Sequence, residues 1–300
     1  MRKLLVTGGT CFVSRFVAEY FVAQGDDVTV LNRGTREQVE GVTLIKADRN
    51  DLGDALEGLE FDAVLDICAY TGEHVTALLD ALGDFEGDYI LLSSSAVYPE
   101  SNPQPFEEFQ QTGENFLWGK YGTDKIAAEN ALLENYENAC ILRPPYLYGL
   151  YENLYREPFI FDCARGDRKV YIPERDMSLQ FFNVKDLCRF IEIILENRPE
   201  NKIFNVGNPD TVTIKEWVAL CYKAAGKTAE ILRVSKSFPQ RSYFPFHDYD
   251  YRLDVSKMLA LMPEVTPLDE GLKEEFEWFE ENDPELNRKP YFEYIDNNLA

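Results

Sequence analysis

A chain of 300 residues with 45% hydrophobic content suits one large domain or two joined ones and can bury a real core. Its 30 basic against 53 acidic residues leave a net charge of −23, a field that repels a phosphate backbone and argues against nucleic acid as a partner. No apolar run reaches the roughly 20 residues of a membrane span, and the six scattered cysteines, without a CxxC pair, suit a reduced, cytoplasmic setting.

Met1–Val6 places basic residues before apolar ones, but the run stops at Thr7-Gly8-Gly9, too short for a signal segment. It reads as a first strand, Leu4–Val6, followed by a helix over Phe12–Gln24 with apolar residues at helical spacing and Gly25 as its stop. Val28–Leu31 and Val42–Ile45 read as strands two and three. A helix-like Asp51–Leu59 leads to a fourth strand, Ala63–Leu65. His74–Leu82 reads as a helix, Tyr89–Leu92 as strand five, Gly119–Tyr136 as a long helix and Ala139–Leu142 as strand six. Strands alternating with helices predict a parallel, doubly wound α/β sheet of Rossmann type, binding its ligand at the carboxyl ends of the strands. We expect a nucleotide-binding domain over residues 1–150, rejoined by about 180–206, and a smaller substrate domain over 151–300. In that second part Gln180–Leu195 reads as a strand-helix pair and Ile214–Ala225 as a helix. A loop spans Ser237–Tyr251, and a helix lies around Leu268–Phe279. The polar and aromatic end, Asn282–Ala300, has no clear pattern.

Three segments carry chemistry. Tyr121 and Lys125, four apart, lie on one helix face. A protonated lysine beside a phenol lowers its pKa from the usual value of about 10, which lets the tyrosine move protons near neutral pH. Upstream stands the serine cluster Ser93-Ser94-Ser95. The turn from Thr7 to Ser14 opens a helix whose free N–H groups and dipole suit a pyrophosphate. Each has an ordinary alternative: a solvated helix lysine, a serine satisfying a strand end, a plain strand-to-helix turn. His74 and His247 lack partners at metal-ligand spacing, so no metal site is expected. The aromatic stretches Tyr146–Phe161 and Tyr243–Tyr251 suit either a substrate pocket or core packing.

In this order the motifs resemble those of the extended short-chain dehydrogenases/reductases, the NAD-dependent epimerase/dehydratases, from Lys3 to about Trp278. The resemblance implies hydride transfer to or from NAD(P) at a carbinol or carbonyl carbon of a sugar-like or small carbonyl substrate. Tyr121 would be the acid/base, Ser94 (or Ser95) would hold the substrate oxygen, and Lys125 would contact the nicotinamide ribose. Thr7, Gly8, Thr10, Cys11, Phe12 and Val13 would cradle the cofactor. The family's TGxxGxxG is incomplete here. Cys11 stands for the second glycine and should narrow the approach, and Ser14 stands for the third and should loosen helix-sheet packing. Asn32-Arg33 replaces the aspartate that binds the ribose hydroxyls in NAD-using relatives, which favours NADP over NAD. Asp48 and Arg49 fall where the family contacts the adenine. Tyr146 replaces an asparagine, and Leu179 an arginine, that relatives use on nucleotide sugars. Ser95-Ala96 replaces the Asp-Glu pair of the dehydratases. Relatives also dimerise through the helix bearing the tyrosine and lysine, which implies a homodimer. The rival reading is a non-catalytic nucleotide-binding or regulatory protein on the same fold.

Overall fold

The computed structural model describes residues 1–300. The first part runs β1 (Lys3–Thr7), α1 (Phe12–Ala23), β2 (Asp27–Asn32), β3 (Thr43–Lys46), β4 (Ala63–Asp66), α2 (Gly72–Leu82), β5 (Asp88–Leu92), α3 (Lys120–Asn135) and β6 (Ala139–Arg143). Then follow β7 (Tyr146–Tyr148), α4 (Glu157–Arg165), β8 (Val170–Pro173), β9 (Ser178–Leu179), β10 (Phe181–Asn183), α5 (Val184–Asn197) and β11 (Ile203–Asn205). The chain closes with β12 (Val212–Thr213), α6 (Ile214–Ala224), β13 (Ile231–Val234), α7 (Ser256–Leu261), α8 (Leu268–Asn282) and α9 (Tyr291–Asn298).

Seven strands form one parallel sheet in the order β11-β6-β5-β4-β1-β2-β3. Strand periodicity explains its two faces. Leu4 and Val6 of β1 join Val17, Ala18 and Phe21 of α1 and Leu187 and Ile191 of α5 in one core. Leu5, between them, points the other way and joins Val75 and Leu78 of α2 and Ala128 and Leu132 of α3. Each fully buried Val, Leu, Ile or Phe among them contributes about 1.5–3 kcal/mol. The strand order reverses at β1, between β4 and β2, and such a point opens a crevice beyond the strand ends.

A separate aromatic core gathers α4, α6, α8 and α9 around Trp217, which is fully buried and stacks on Phe181 at 6.1 Å between ring centroids. The end of the chain belongs here: α9 buries Tyr291 and Ile295.

One expected element is absent. Asp51–Leu59 is a succession of turns, not a helix. Leu52 and Leu56 do bury against the sheet, as their spacing suggests, but Gly53 (φ 47°) and Gly58 (φ 73°) take the left-handed conformation that breaks a helix.

Candidate active site

Three adjoining cavities run along the carboxyl ends of the sheet strands. The first, about 480 Å³, lies beyond β1, β2 and β3 and is bordered by Thr7, Gly8, Thr10, Cys11, Asn32, Arg33, Asp48 and Arg49. The second, about 430 Å³, shares Cys11, Cys68 and Tyr70 with the first and reaches Phe12, Val13, Ser94, Tyr121 and Lys125. The third, about 480 Å³, shares Ser94, Tyr121, Pro145 and Arg156 with the second and opens between Trp118, Tyr146, His247 and Tyr251. Ser94 and Tyr121, the two residues a proton-transfer step would need, thus stand where the second and third cavities adjoin.

The turn after β1 depends on its glycines. Gly8 (φ 93°) and Gly9 (φ 88°) are both left-handed. A Cβ on Gly8 would lie 2.6 Å from Cys68 Sγ and 2.8 Å from Ser14 Oγ. Ser14 is buried, and its hydroxyl donates to the Cys11 carbonyl at 3.0 Å, so it fills the notch that Gly8 leaves. The expected loosening of helix-sheet packing by Ser14 is therefore corrected: the side chain fastens the turn. Cys11 caps α1 with extended backbone (φ −146°), and its thiol accepts a hydrogen bond from Asn153 Nδ2 at 3.1 Å. Phe12 follows at φ 38°, a conformation that strains a residue with a side chain.

Below the turn lies an ion pair that the sequence reading missed. Asp66, at the end of β4, is fully buried. It accepts from Arg49 Nη1 and Nη2 at 2.6 and 2.5 Å, from Thr7 Oγ1 at 2.7 Å and from the Tyr89 hydroxyl at 2.6 Å. Burial opposes its charge, but Arg49, Tyr89 and Thr7 together hold the carboxyl below its ordinary range. Arg49 and Thr7 border the first cavity, yet their polar ends face inward. Their side chains, bonded to Asp66, support the cavity from below. Asn32 also looks inward: its amide donates to the Gly8 carbonyl at 2.6 Å and to Gln38, and accepts from Gly34 N–H at 2.8 Å. Asp48 is held below its usual range by hydrogen bonds from the Asn50 backbone and side chain. Arg33 and Arg36 are exposed on the cavity rim without an ion-pair partner.

Of the three serines, Ser93 donates to buried Glu129 at 2.5 Å and Ser95 to the Pro144 carbonyl at 2.8 Å. Ser94 accepts from Ala96 N–H at 3.1 Å, and its hydroxyl also acts on the Tyr121 phenol beside it. α3 fits tightly here because Gly122 faces the Ala96 carbonyl, where a Cβ would come within 2.5 Å. Lys125 is almost fully buried; its ammonium donates to the carbonyls of Ala69 and Leu92, each at 2.7 Å, and lies 5.2 Å from the Tyr70 ring centroid. Burial lowers its pKa to about 8, with Asp66 pulling the other way. Tyr121 does not follow the expectation of a lysine-lowered phenol. Loss of water around the phenol raises its pKa and Ser94 opposes the rise, although the residue as a whole is 40% exposed. The Lys125 ammonium is bonded instead to two carbonyls, that of Leu92 at the end of β5 and that of Ala69 just after β4. Tyr121 therefore holds its proton at neutral pH.

His74 sits in the first turn of α2 as expected, but it also borders the first cavity, bonded to Tyr70 N–H and Asn50. The aromatic stretches serve both roles considered for them. Tyr146, Tyr155 and Tyr251 line the third cavity, while Phe159 and Phe161 are core.

A doubly wound sheet whose glycine turn opens onto a cleft at the switch point is the architecture of the dinucleotide-binding α/β fold. The chain belongs to the NAD dependent epimerase/dehydratase family, whose pattern matches residues 4–207. It is 30% identical to dTDP-glucose 4,6-dehydratase of Streptomyces niveus, over 93% of each chain. It is 28% identical to the chloroplast stem-loop binding protein of 41 kDa b of Arabidopsis thaliana, over 92% of this chain and 78% of that one. In fold it is similar to the crystal structure of dTDP-glucose 4,6-dehydratase from Bacillus anthracis in complex with NAD. There the TM-score is 0.78 at 17% identity, with 94% and 98% of the two chains covered. No helix is long and apolar enough to cross a membrane.

Proposed function

We propose that the protein is an NAD(P)-dependent oxidoreductase or epimerase acting at a carbinol or carbonyl carbon of a sugar-like or small carbonyl substrate. The observation that carries this reading is the meeting of Ser94 and Tyr121 where the second and third cavities join. The nicotinamide, when bound, supplies or takes the hydride. Tyr121 holds a proton at its phenol oxygen and gives it to a substrate carbonyl oxygen, or takes it back in the reverse direction. Ser94 donates to that same oxygen and fixes its position. Lys125 keeps a positive charge beneath the second cavity and holds the Ala69 and Leu92 carbonyls in place. Tyr121→Phe is expected to lower turnover at least about 100-fold with cofactor affinity nearly unchanged; full activity in that variant would remove Tyr121 from the chemistry.

NADP is the cofactor we favour, although the structural relative described above was solved with NAD. Asn32 stands where an acid would repel a 2′-phosphate, and Arg33 and Arg36 wait unpaired on the same rim. Arg33→Ala should weaken NADPH far more than NADH, and equal losses would refute the preference.

A second reading has support of its own. Cys11 occupies a position where the family carries glycine, and one relative is named for binding a stem-loop. On that reading the protein is a non-catalytic binder, and RNA retention in a filter assay would fall steeply with salt. The net charge of −23 opposes it.

A further inference from the structure

The third cavity is closed by a part of the chain whose sequence gave no hint of a role. The segment before α9 runs alongside the loop before α4. Asn287 N–H donates to the Asn153 carbonyl at 2.9 Å, and Leu154 and Asn287 pair as a short parallel bridge. Arg288 bonds Asp162 and lies over the Tyr155 ring at 5.3 Å. Tyr291 stacks on Tyr155 with 5° between ring planes and is only 4% exposed. The segment is thus docked by ion pair, backbone bond and aromatic packing together. It places Asn287, Lys289 and Tyr291 on the cavity wall.

The charge of that wall is unlike the rest of the molecule. The chain carries 53 acidic residues, yet no carboxylate lines this cavity, whereas Arg156, Arg241 and Lys289 do. Arg156 is neutralised by Glu152 at 2.5 Å and Glu157 at 3.6 Å. Arg241 and Lys289 have neither an ion pair nor a side-chain hydrogen bond, in a protein where most cations are paired with an acid. Arg241 is close enough to Tyr146, His247 and Tyr291 for its charge to act on all three. Trp118 and Tyr251 line the same cavity. Leu179, where relatives carry a diphosphate-gripping arginine, is sealed in the core.

We propose that Lys289 of the C-terminal segment and Arg241 form an anion subsite, and that the substrate is a compact sugar-like molecule bearing a phosphate or carboxylate. The anion is held at the cavity mouth by the two cations. The hydroxyl-bearing body extends inward past Tyr251 and Trp118 toward Tyr121. The inference rests on the proposed oxidoreductase reading in taking the third cavity as the substrate's.

Calorimetric titration of the full chain with glucose 6-phosphate, glucuronate and glucose tests it, on the wild type, Lys289→Gln, Arg241→Gln and the double variant. NADPH and NADH are titrated in parallel. At least one acidic probe is expected to bind about 10-fold or more tightly than glucose, and which one it is distinguishes phosphate from carboxylate. Each single substitution should cut that preference several-fold, and the double variant should abolish it, with nucleotide affinity unchanged. Both replaced side chains are exposed, so the fold should survive. Equal binding of all three probes, no binding of either acid, or a preference that survives the double variant would overturn the subsite. Failure of both nucleotides to bind would instead overturn the oxidoreductase reading and leave the anion preference standing.

Discussion

Replacing Lys125 with methionine separates a structural lysine from a working one. Two effects on stability oppose each other. The substitution removes a charge whose burial lowers its pKa from 10.5 to about 8, a difference worth on the order of 3 kcal/mol at about 1.36 kcal/mol per pH unit. It also strips the donor from two buried carbonyls, Ala69 and Leu92, each bonded at 2.7 Å. An unsatisfied buried carbonyl costs about 1–3 kcal/mol, so the pair costs roughly 2–6. The net change lies between about −1 and +3 kcal/mol, and Lys125→Met should melt within about 10 °C of the wild type. Turnover should nevertheless fall about 100-fold, through loss of the positive charge that Lys125 keeps beneath the second cavity. The wild-type kcat/KM, which reports the free enzyme, should decline as pH rises through about 8, where the ammonium loses its proton. Lys125→Arg, always charged, should move that limb upward if it retains activity at all. Turnover in the methionine variant within threefold of the wild type, or a profile flat through pH 8, would refute the reasoning.

Gly8→Ala should cost about 1–2 kcal/mol for its left-handed backbone and about 1–3 kcal/mol for crowding Cys68 and Ser14, and should abolish nucleotide binding. A melting curve and a nucleotide titration check both. Ser14→Gly should rescue only part, because Cys68 Sγ is the nearer obstacle at 2.6 Å. Glu152, Glu157 and Glu275 place their carboxylates within 4.8 Å of one another in full burial, with Arg156 the one ion-pair partner. Burial raises Glu275 well above its ordinary range, with Glu157 adding to the rise. A raised acid gives stability that is complete below its ordinary pKa of 4.5 and is lost as pH rises toward the folded value. The wild type should therefore lose melting temperature on the alkaline side, and Glu275→Gln should lose less of it between pH 5 and 9. A steeper loss in the variant would contradict the assignment.

The doubly wound sheet was legible because each of its buried strands is a short apolar run between glycine, proline or polar turns, and α1 and α3 carry their apolar residues at helical spacing. Local chemistry also brought out the residues that border the first two cavities, since the end of a strand is set by sequence within a few positions. Distant chemistry was not legible. Lys125 turns toward carbonyls 56 and 33 residues away, which no helix-face argument contains. Arg49 falls where the family contacts the adenine, but its partner, Asp66, lies 17 residues on at the end of the next strand. A signal for that pair existed: an aspartate ending an apolar strand must bury its charge and needs a cation. The turns at Gly53 and Gly58 show the reverse error, in which apolar spacing outweighed two glycines. The C-terminal segment was obscure because its aromatic residues pack on α4 and the loop before it, elements more than 100 residues earlier, and have no period of their own.

The central claim is that the cleft remains a dinucleotide site although Cys11 and Ser14 replace two glycines. Calorimetric titration of the cofactor-stripped protein with NADPH and with NADH tests it most directly. Saturable binding at micromolar concentration, tighter for NADPH and lost in Gly8→Ala, is the predicted result. No heat from either nucleotide would contradict the claim and make the non-catalytic reading the stronger one.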